Sequence, residues 1–350
     1  MASPSQAAAE AAIGRDHAFH QLRIGAVVTE TADAASFVLD VPPELRGAYA
    51  YEAGQFVTFR VTVDGETHLR CYSMSSAPAV DSEMKVTVKR VPDGAVSNWM
   101  LDMLQVGHVV ETTCPSGVFC LQGVGDVVAF GAGSGITPVI AIVKTALATT
   151  ERRVHLLYAN RDRDSIIFAT ELDALANRYG ERLRIVHHLD AEQGFVDAGA
   201  VSAFAPIADD AEYFVCGPGP FMDIVEHALR AGGVAREHIH IERFSAPAPE
   251  VPAPYASADA TITIELDGQT ETAEHHPGTT ILQMARQMGL RAPSSCEAGS
   301  CATCMGKVLE GTVTMRTNNA LTPEEVEEGW ILTCQSVPTS STVKVVYGFD

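Results

Sequence analysis

Pro293-Ser-Ser-Cys296-Glu-Ala-Gly-Ser-Cys301-Ala-Thr-Cys304, followed thirty residues later by Cys334, is the stretch around which the chain is read. A C-x4-C-x2-C loop with a distant fourth cysteine is the ligand spacing of a [2Fe–2S] cluster, in which four thiolates hold two irons. Zinc sites instead tend to pair their cysteines in two short C-x2-C-like knuckles, whereas here three sit in one loop. A disulfide framework is disfavoured because the rest of the chain is long and cysteine-poor and begins without a secretory signal. Cys296, Cys301, Cys304 and Cys334 are therefore the expected metal ligands. A cluster of this kind moves single electrons, so the upstream sequence must say where they come from.

At 350 residues there is room for two or three domains. No apolar run reaches the eighteen or so residues of a membrane span, so no membrane association is expected. The opening MASPSQAAAEAA lacks the basic start and apolar core of a signal peptide, and residues 1–19 read as a disordered extension. The other four cysteines, Cys71, Cys114, Cys120 and Cys216, are scattered, as expected of reduced, mostly buried thiols in a cytoplasmic protein. A formal net charge of −20 argues against nucleic acid, whose phosphates would repel such a surface. It suits a protein partner with a basic patch.

From Gln21 to Gln122 short alternating runs follow one another: Gln21–Thr29, Ser36–Asp40, Gly54–Val63, His68–Met74 and Met84–Arg90. Asp64-Gly65 marks a hairpin turn. The pattern predicts a small antiparallel barrel over residues 20–123, interrupted by a helix over Asn98–Leu104 that Ser97 would cap. From Asp126 strands alternate with helices: Val127–Gly131, Thr137–Thr149, Val154–Ala159, Ile167–Tyr179, Leu183–Leu189, Glu212–Cys216, Pro220–Ala231 and Ile239–Phe244. That rhythm predicts a parallel, doubly wound α/β domain over 124–244. Residues 245–258 are a Pro-rich linker. Residues 259–350 read as a small α+β domain, with a hairpin at Asp267-Gly268, a helix over Thr280–Gly289 and short strands around the cysteine loop.

Three further constellations stand out. Arg70-Cys71-Tyr72-Ser73 lies on a barrel strand, and Gly94-Ala-Val-Ser97 leads into the barrel helix. An arginine, an aromatic ring and a helix N-terminus can together hold a phosphorylated aromatic cofactor. Gly131-Ala-Gly133-Ser-Gly135-Ile-Thr137-Pro138 follows a buried strand and opens a helix, the setting of a phosphate-binding loop. Cys216-Gly-Pro-Gly-Pro-Phe221 ends a later strand of the same sheet, beside the usual ligand crevice. The paired histidines at 187–188 and 275–276 have no ligand company and read as structural. Glu324–Glu328 reads as the exposed face of a short helix capped by Thr322, with partner docking as the alternative.

Taken in order, RCYS, GAVS, GAGSGITP and CGPGPFM resemble the ferredoxin–NADP reductase superfamily, and CEAGSCATC…C resembles a fused plant-type ferredoxin. Further strings, among them VTVKR, LYANRD and ELDGQT, are similar to reductase components of 3-ketosteroid 9α-hydroxylases, with phenylacetyl-CoA epoxidase reductases as near relatives. The resemblance implies an NAD(P)H-dependent reductase that passes electrons through FAD and the [2Fe–2S] cluster to a terminal oxygenase, expected to be of the Rieske type. An aromatic-ring oxygenase is an alternative partner system, and a redox-sensing regulator a distant one. It also implies roles for residues. Tyr72 and Ser73 would meet the flavin ring, Arg70 its phosphates, Gly94 and Ser97 the pyrophosphate, and Val88 and Lys89 the tail. Thr137 would face flavin and nicotinamide. Gly131, Gly133 and Gly135 would approach the dinucleotide. Cys216, Gly217 and Pro218 would border the nicotinamide, while Glu242 and Phe244 would stand beside the flavin, with Arg243 solvated. FMN replaces FAD in a related group resembling phthalate dioxygenase reductase, but the Gly94–Ser97 turn favours FAD. The choice of NADH or NADPH turns on residues 160–165, where Arg161, Arg163 and Ser165 can bind a 2′-phosphate and Asp162 and Asp164 repel one. The resemblance favours NADH. Ser294, Ser295, Glu297 and Ser300 would form a partner-docking surface.

Overall fold

The computed structural model describes residues 19–347 apart from 206, 209, 245–259, 276–277, 295, 298 and 300. The expected extension (save residue 19), the Pro-rich linker, Ser295 and Ser300 lie outside the described residues.

Strands β1 (His20–Thr31), β2 (Ala34–Asp40), β3 (Phe56–Val63), β4 (Glu66–Ser73), β5 (Met84–Lys89) and β6 (Val109–Thr112) form an antiparallel sheet in the order β4-β3-β6-β1-β2-β5. A bridge between Met74 and Val86 brings its two edges together, closing the sheet around a core that includes Phe37, Phe59 and Met100. Asp64 and Gly65 both have positive φ (50° and 81°), as a two-residue hairpin whose twist matches its strands requires. Strand β6, which the sequence patterning misses, joins β1 to β3. The barrel helix α1 runs over Ala95–Met103, three residues earlier than expected, and Gly94 rather than Ser97 is its N-cap. The Ser97 hydroxyl instead accepts from Val91 N–H and donates to Gly94 O, bracing the turn from inside the helix.

The second sheet comprises β7 (Val127–Ala132), β8 (Val154–Asn160), β9 (Leu183–Leu189), β10 (Glu212–Cys216) and β11 (Ile239–Glu242). All are parallel, in the order β11-β10-β7-β8-β9. β7 reads VVAFGA and is buried throughout, the continuous apolar run of a strand covered on both faces. One face is covered by α2 (Ile136–Thr149) and α3 (Ala169–Tyr179). The short α4 (Asp190–Gln193) follows β9, and α5 (Ala198–Phe204) and α6 (Gly219–Ala231) cover the other face. Helix α3 begins two residues later than expected because Phe168 adopts a left-handed conformation. The chain leaves β7 in one direction and β10 in the other, so their carboxyl ends flank the topological switch point, where such sheets bind ligands.

Barrel and nucleotide sheet share a core. Ala34 and Phe119 of the barrel side pack among α2 residues, and three alanines, Ala53, Ala77 and Ala141, let α2 approach closely. Lys144 on α2 is buried, its Nζ donating to Ser75 O (3.1 Å) and pairing with Asp81 (2.6 Å) and Glu171 (2.8 Å).

The third unit holds β12 (Thr261–Leu266), β13 (Gln269–Glu274), α7 (Ile281–Gln287), β14 (Met305–Glu310), β15 (Val313–Met315), α8 (Pro323–Glu327), β16 (Trp330–Leu332), β17 (Ser336–Pro338) and β18 (Thr342–Val346). Its main sheet runs β13-β12-β18-β14-β16, and β15 and β17 pair separately. Thr280 and Thr322 each begin a helix with a reciprocal capping box. Glu325 is therefore buried as the box partner of Thr322, a correction to the expected fully exposed acidic face.

Candidate electron-transfer site

A cavity of about 330 Å³ opens where the barrel, the first glycine loop, the end of β11 and the cysteine loop meet, within the range of small-molecule sites. Arg70, Tyr72, Ser73, Lys89, Gly94, Ser97, Thr137, Glu242 and Phe244 line it, and so do Cys296 and Cys301. Alternation on β4 places Tyr72 half-buried, its ring edge-on to Phe59 at 5.5 Å. Burial holds its phenol well above the ordinary range, so it is a neutral platform. Ser73 Oγ is buried without a hydrogen-bond partner. Such an orphan costs stability unless a ligand satisfies it. The N-terminal turn of α1 has no side-chain cap and no acidic residue, and Gly94–Ser97 line the pocket, the setting in which a helix N-terminus binds an anion. These features suit a flavin dinucleotide.

Two expectations change here. Val88 is buried in the barrel core, while Lys89 lines the pocket as expected and Thr87 joins it, as strand alternation dictates. Arg243 is not solvated. Its guanidinium donates to Asp223 (2.7 Å), lies 3.7 Å from Glu226, and is 20% exposed. Glu242 is buried. Burial, and secondarily the charge of Cys301, raise its carboxyl well above the usual range.

Gly131, Gly133, Gly135, Cys216, Gly217 and Pro218 do not line this cavity. They stand together behind it, at the switch point. Cys216 pairs with Gly131 across the strands. Gly135 abuts the Cys216 carbonyl, and a Cβ there would lie 2.6 Å from Gly217 N. Thr137 donates to Ser134 O (3.0 Å), shaping the loop, and Ser134 itself lines the cavity. Burial pushes the Cys216 thiol well up, which makes it inert rather than nucleophilic.

All four expected ligand cysteines are buried. Cys296 N–H donates to Cys301 Sγ (3.3 Å), and the neighbouring Cys296 and Cys71 side chains draw the Cys301 thiol well below its ordinary range. Cys304 and Cys334 hydrogen-bond each other, pushing the first up and the second down. The sulfurs thus form two pairs, the donor set that two irons with two thiolates each require. Among the described residues no three of His, Cys, Asp or Glu gather as a single metal ion would need.

Sequence reasoning missed Phe56 and Cys71. Both pack against Cys296 and Cys301, joining barrel to cysteine loop. Cys71, read from sequence as one of several scattered thiols, is a half-buried neighbour of the cluster loop. Its place inside the RCYS string was the signal available.

Residues 21–120 match the oxidoreductase FAD-binding domain, 130–227 the oxidoreductase NAD-binding domain and 264–339 the 2Fe-2S iron-sulfur cluster binding domain. The ferredoxin reductase component of 3-ketosteroid-9-alpha-monooxygenase from Rhodococcus rhodochrous is 42% identical over 337 residues, covering 93% of this chain and 96% of the relative. A component of the 1,2-phenylacetyl-CoA epoxidase from Escherichia coli K12 is 34% identical, covering 93% and 97%. The solved structure of phthalate dioxygenase reductase superposes with a TM-score of 0.60 at 26% identity, covering 94% of this chain and 98% of that one.

Proposed function

Because the chain belongs to the family of FAD-, NAD- and [2Fe–2S]-binding reductase components of oxygenase systems, we propose that it takes electrons from NADH and delivers them singly to a 3-ketosteroid 9α-hydroxylating oxygenase. When bound, the flavin supplies the conversion of a two-electron hydride into single electrons, and the cluster their exit. The chain's own residues orient and shield. Ser73 supplies the unsatisfied hydroxyl at the ring. Tyr72 supplies a ring face, and Glu242 a buried carboxyl at the wall of the same cavity. Gly94, Ser97 and Arg70 hold the phosphates at the N-terminus of α1. Gly131, Gly133, Gly135, Cys216, Gly217 and Pro218 bring the nicotinamide up from behind. Cys296, Cys301, Cys304 and Cys334 hold the irons.

The observation that carries the reading is the shared lining. One cavity is walled on one side by the flavin-binding strings and on the other by Cys296 and Cys301. The steroid system rests on the 42% identity to a steroid reductase component, against 34% to the epoxidase component. Free cysteines throughout fit a reducing, cytoplasmic setting, and no helix among the described residues is long and apolar enough to cross a membrane.

Anaerobic addition of NADH is expected to bleach both flavin and cluster absorbance. Reconstitution with a 3-ketosteroid oxygenase component should then give the 9α-hydroxy product. Absent bleaching refutes the reductase reading. Bleaching without steroid turnover refutes only the steroid assignment.

NADH is favoured by residues 160–165. Asp162 accepts from Ser165 N–H (2.9 Å), the Ser165 hydroxyl (2.5 Å) and Arg161 Nε–H (2.9 Å). Arg161 also donates to the Ser165 hydroxyl (2.8 Å), and Arg163 faces Glu192. The groups suited to a 2′-phosphate are thus engaged around a carboxylate. Asp162→Asn should raise the NADPH-to-NADH ratio of kcat/KM by on the order of tenfold, since it frees a charge-assisted donor. An unchanged ratio would place nucleotide choice elsewhere.

A further inference from the structure

Thr58 and Cys71 face each other across β3 and β4, with Thr58 Oγ1 3.3 Å from Cys71 Sγ. On its other side Cys71 Sγ lies 3.3 Å from Thr303 Oγ1 and 3.8 Å from Cys301 O. Thr303 Oγ1 in turn lies 3.3 Å from Cys301 Sγ. Three side chains from two domains therefore form a continuous line that ends on one sulfur.

Ligation gives that line a direction. A cysteine bound to iron is a thiolate and can only accept. Thr303 then turns its O–H to Cys301 Sγ rather than to the Cys301 carbonyl at 3.5 Å. Its oxygen is left to accept from the Cys71 S–H, and Cys71 sulfur accepts from the Thr58 O–H. We propose that Thr58, Cys71 and Thr303 are a hydrogen-bond relay from the flavin barrel to the Cys301 sulfur, with Cys71 a positioning residue that sets the reduction potential of the cluster. This rests on the reading above that the four cysteines hold a [2Fe–2S] cluster.

The physical basis is charge. Reduction adds an electron to the cluster, and a hydrogen bond donated to a ligand sulfur offsets the added negative charge. Each link polarises the next, so Cys71 strengthens the Thr303 bond without touching iron. Because two of the three side chains belong to the barrel, seating the cysteine loop there favours electron acceptance.

The test is a redox titration of the full flavin- and cluster-loaded chain, read by the EPR signal of the reduced cluster. Thr303→Val should shift the flavin–cluster electron equilibrium about tenfold towards the flavin, or about 59 mV for one electron. Cys71→Ala should shift it the same way by less, and Thr58→Val by less again. Cys71→Ser keeps a donor and should stay near the unsubstituted value. Cys71→Ala combined with Thr303→Val should go no further than Thr303→Val alone, since Cys71 acts through Thr303. The proposal is overturned if Cys71→Ala and Thr58→Val both keep the original potential. It is equally overturned if Cys71→Ser matches Cys71→Ala, or if the two effects sum in the double variant. Thr58→Val sits on the barrel, outside the cysteine loop, and reads the relay even where a loop variant assembles poorly. Absence of any cluster signal in the unsubstituted protein would instead refute the underlying reading.

Discussion

Cys301→Ser is expected to stop electron delivery to an oxygenase, or to a one-electron acceptor such as a cytochrome, while NADH still reduces the flavin. Cys301 is 5% exposed, receives the Cys296 N–H and the relay through Thr303, and lines the flavin cavity. It is the proposed ligand sulfur on which barrel and cysteine loop converge. Serine offers a hard oxygen with a far higher pKa where iron–sulfur chemistry needs a soft thiolate. The loss should exceed the roughly 10–100-fold that outer-shell changes cost a metal site. Stopped-flow absorbance separates the steps: fast flavin bleaching with no cluster bleaching and no acceptor reduction. If acceptor reduction keeps its original rate, the cluster is not the exit. If flavin bleaching disappears as well, the electron path is not ordered as argued.

Gly135→Ala is expected to do the reverse. Gly135 has an ordinary φ of −62°, so the backbone tolerates a side chain there. Space does not. A Cβ would run into the Cys216 carbonyl and come within 2.6 Å of Gly217 N, all main chain and unable to rotate aside. The start of α2 and the end of β10 must then part, and the cradle proposed for the nicotinamide opens with them. A displacement near 1 Å can cost on the order of 100-fold in rate, so kcat/KM for NADH should fall by about that much. Dithionite should still reduce the cluster, and electrons should still leave it. Overpacking of this kind also costs about 1–3 kcal/mol of stability, which thermal unfolding would register. Hydride transfer at the original rate in Gly135→Ala would move the nicotinamide away from the switch point.

The two variants divide the molecule as its sequence does, since their residues sit in contiguous strings whose chemistry shows without a structure. Local order was legible for the same reason. Leu183–Leu189 and Glu212–Cys216 coincide with observed strands, and the hairpin at Asp267-Gly268 joins β12 to β13, because apolar runs or alternation are bounded by clear turn residues. Val109–Thr112 escaped, since half of its four residues are polar and its partners lie far off in the chain. Ser97 misled, because the residue type that best caps a helix here lies inside one. Reading Arg243 as solvated failed because Asp223 and Glu226, on α6, meet it only in the folded chain. The proximity of Phe56 and Cys71 to the cysteine loop was illegible in principle, since domain docking leaves no periodicity in either segment.

The joint between barrel and nucleotide sheet differs from the joint between barrel and cysteine loop. The first is welded: Phe119 buried among helix residues, alanines face to face, Lys144 pinned by two carboxylates and a carbonyl. The second is a small apolar contact and a line of weak sulfur hydrogen bonds. Tolerances follow from what crosses each seam. A hydride is a nucleus with its electrons and moves only between atoms already in contact, so its seam must be stiff. A lone electron tunnels, and its seam can slacken and reseat without breaking the circuit. The protein is built to close tolerance where matter is handed over and to loose tolerance where only charge is.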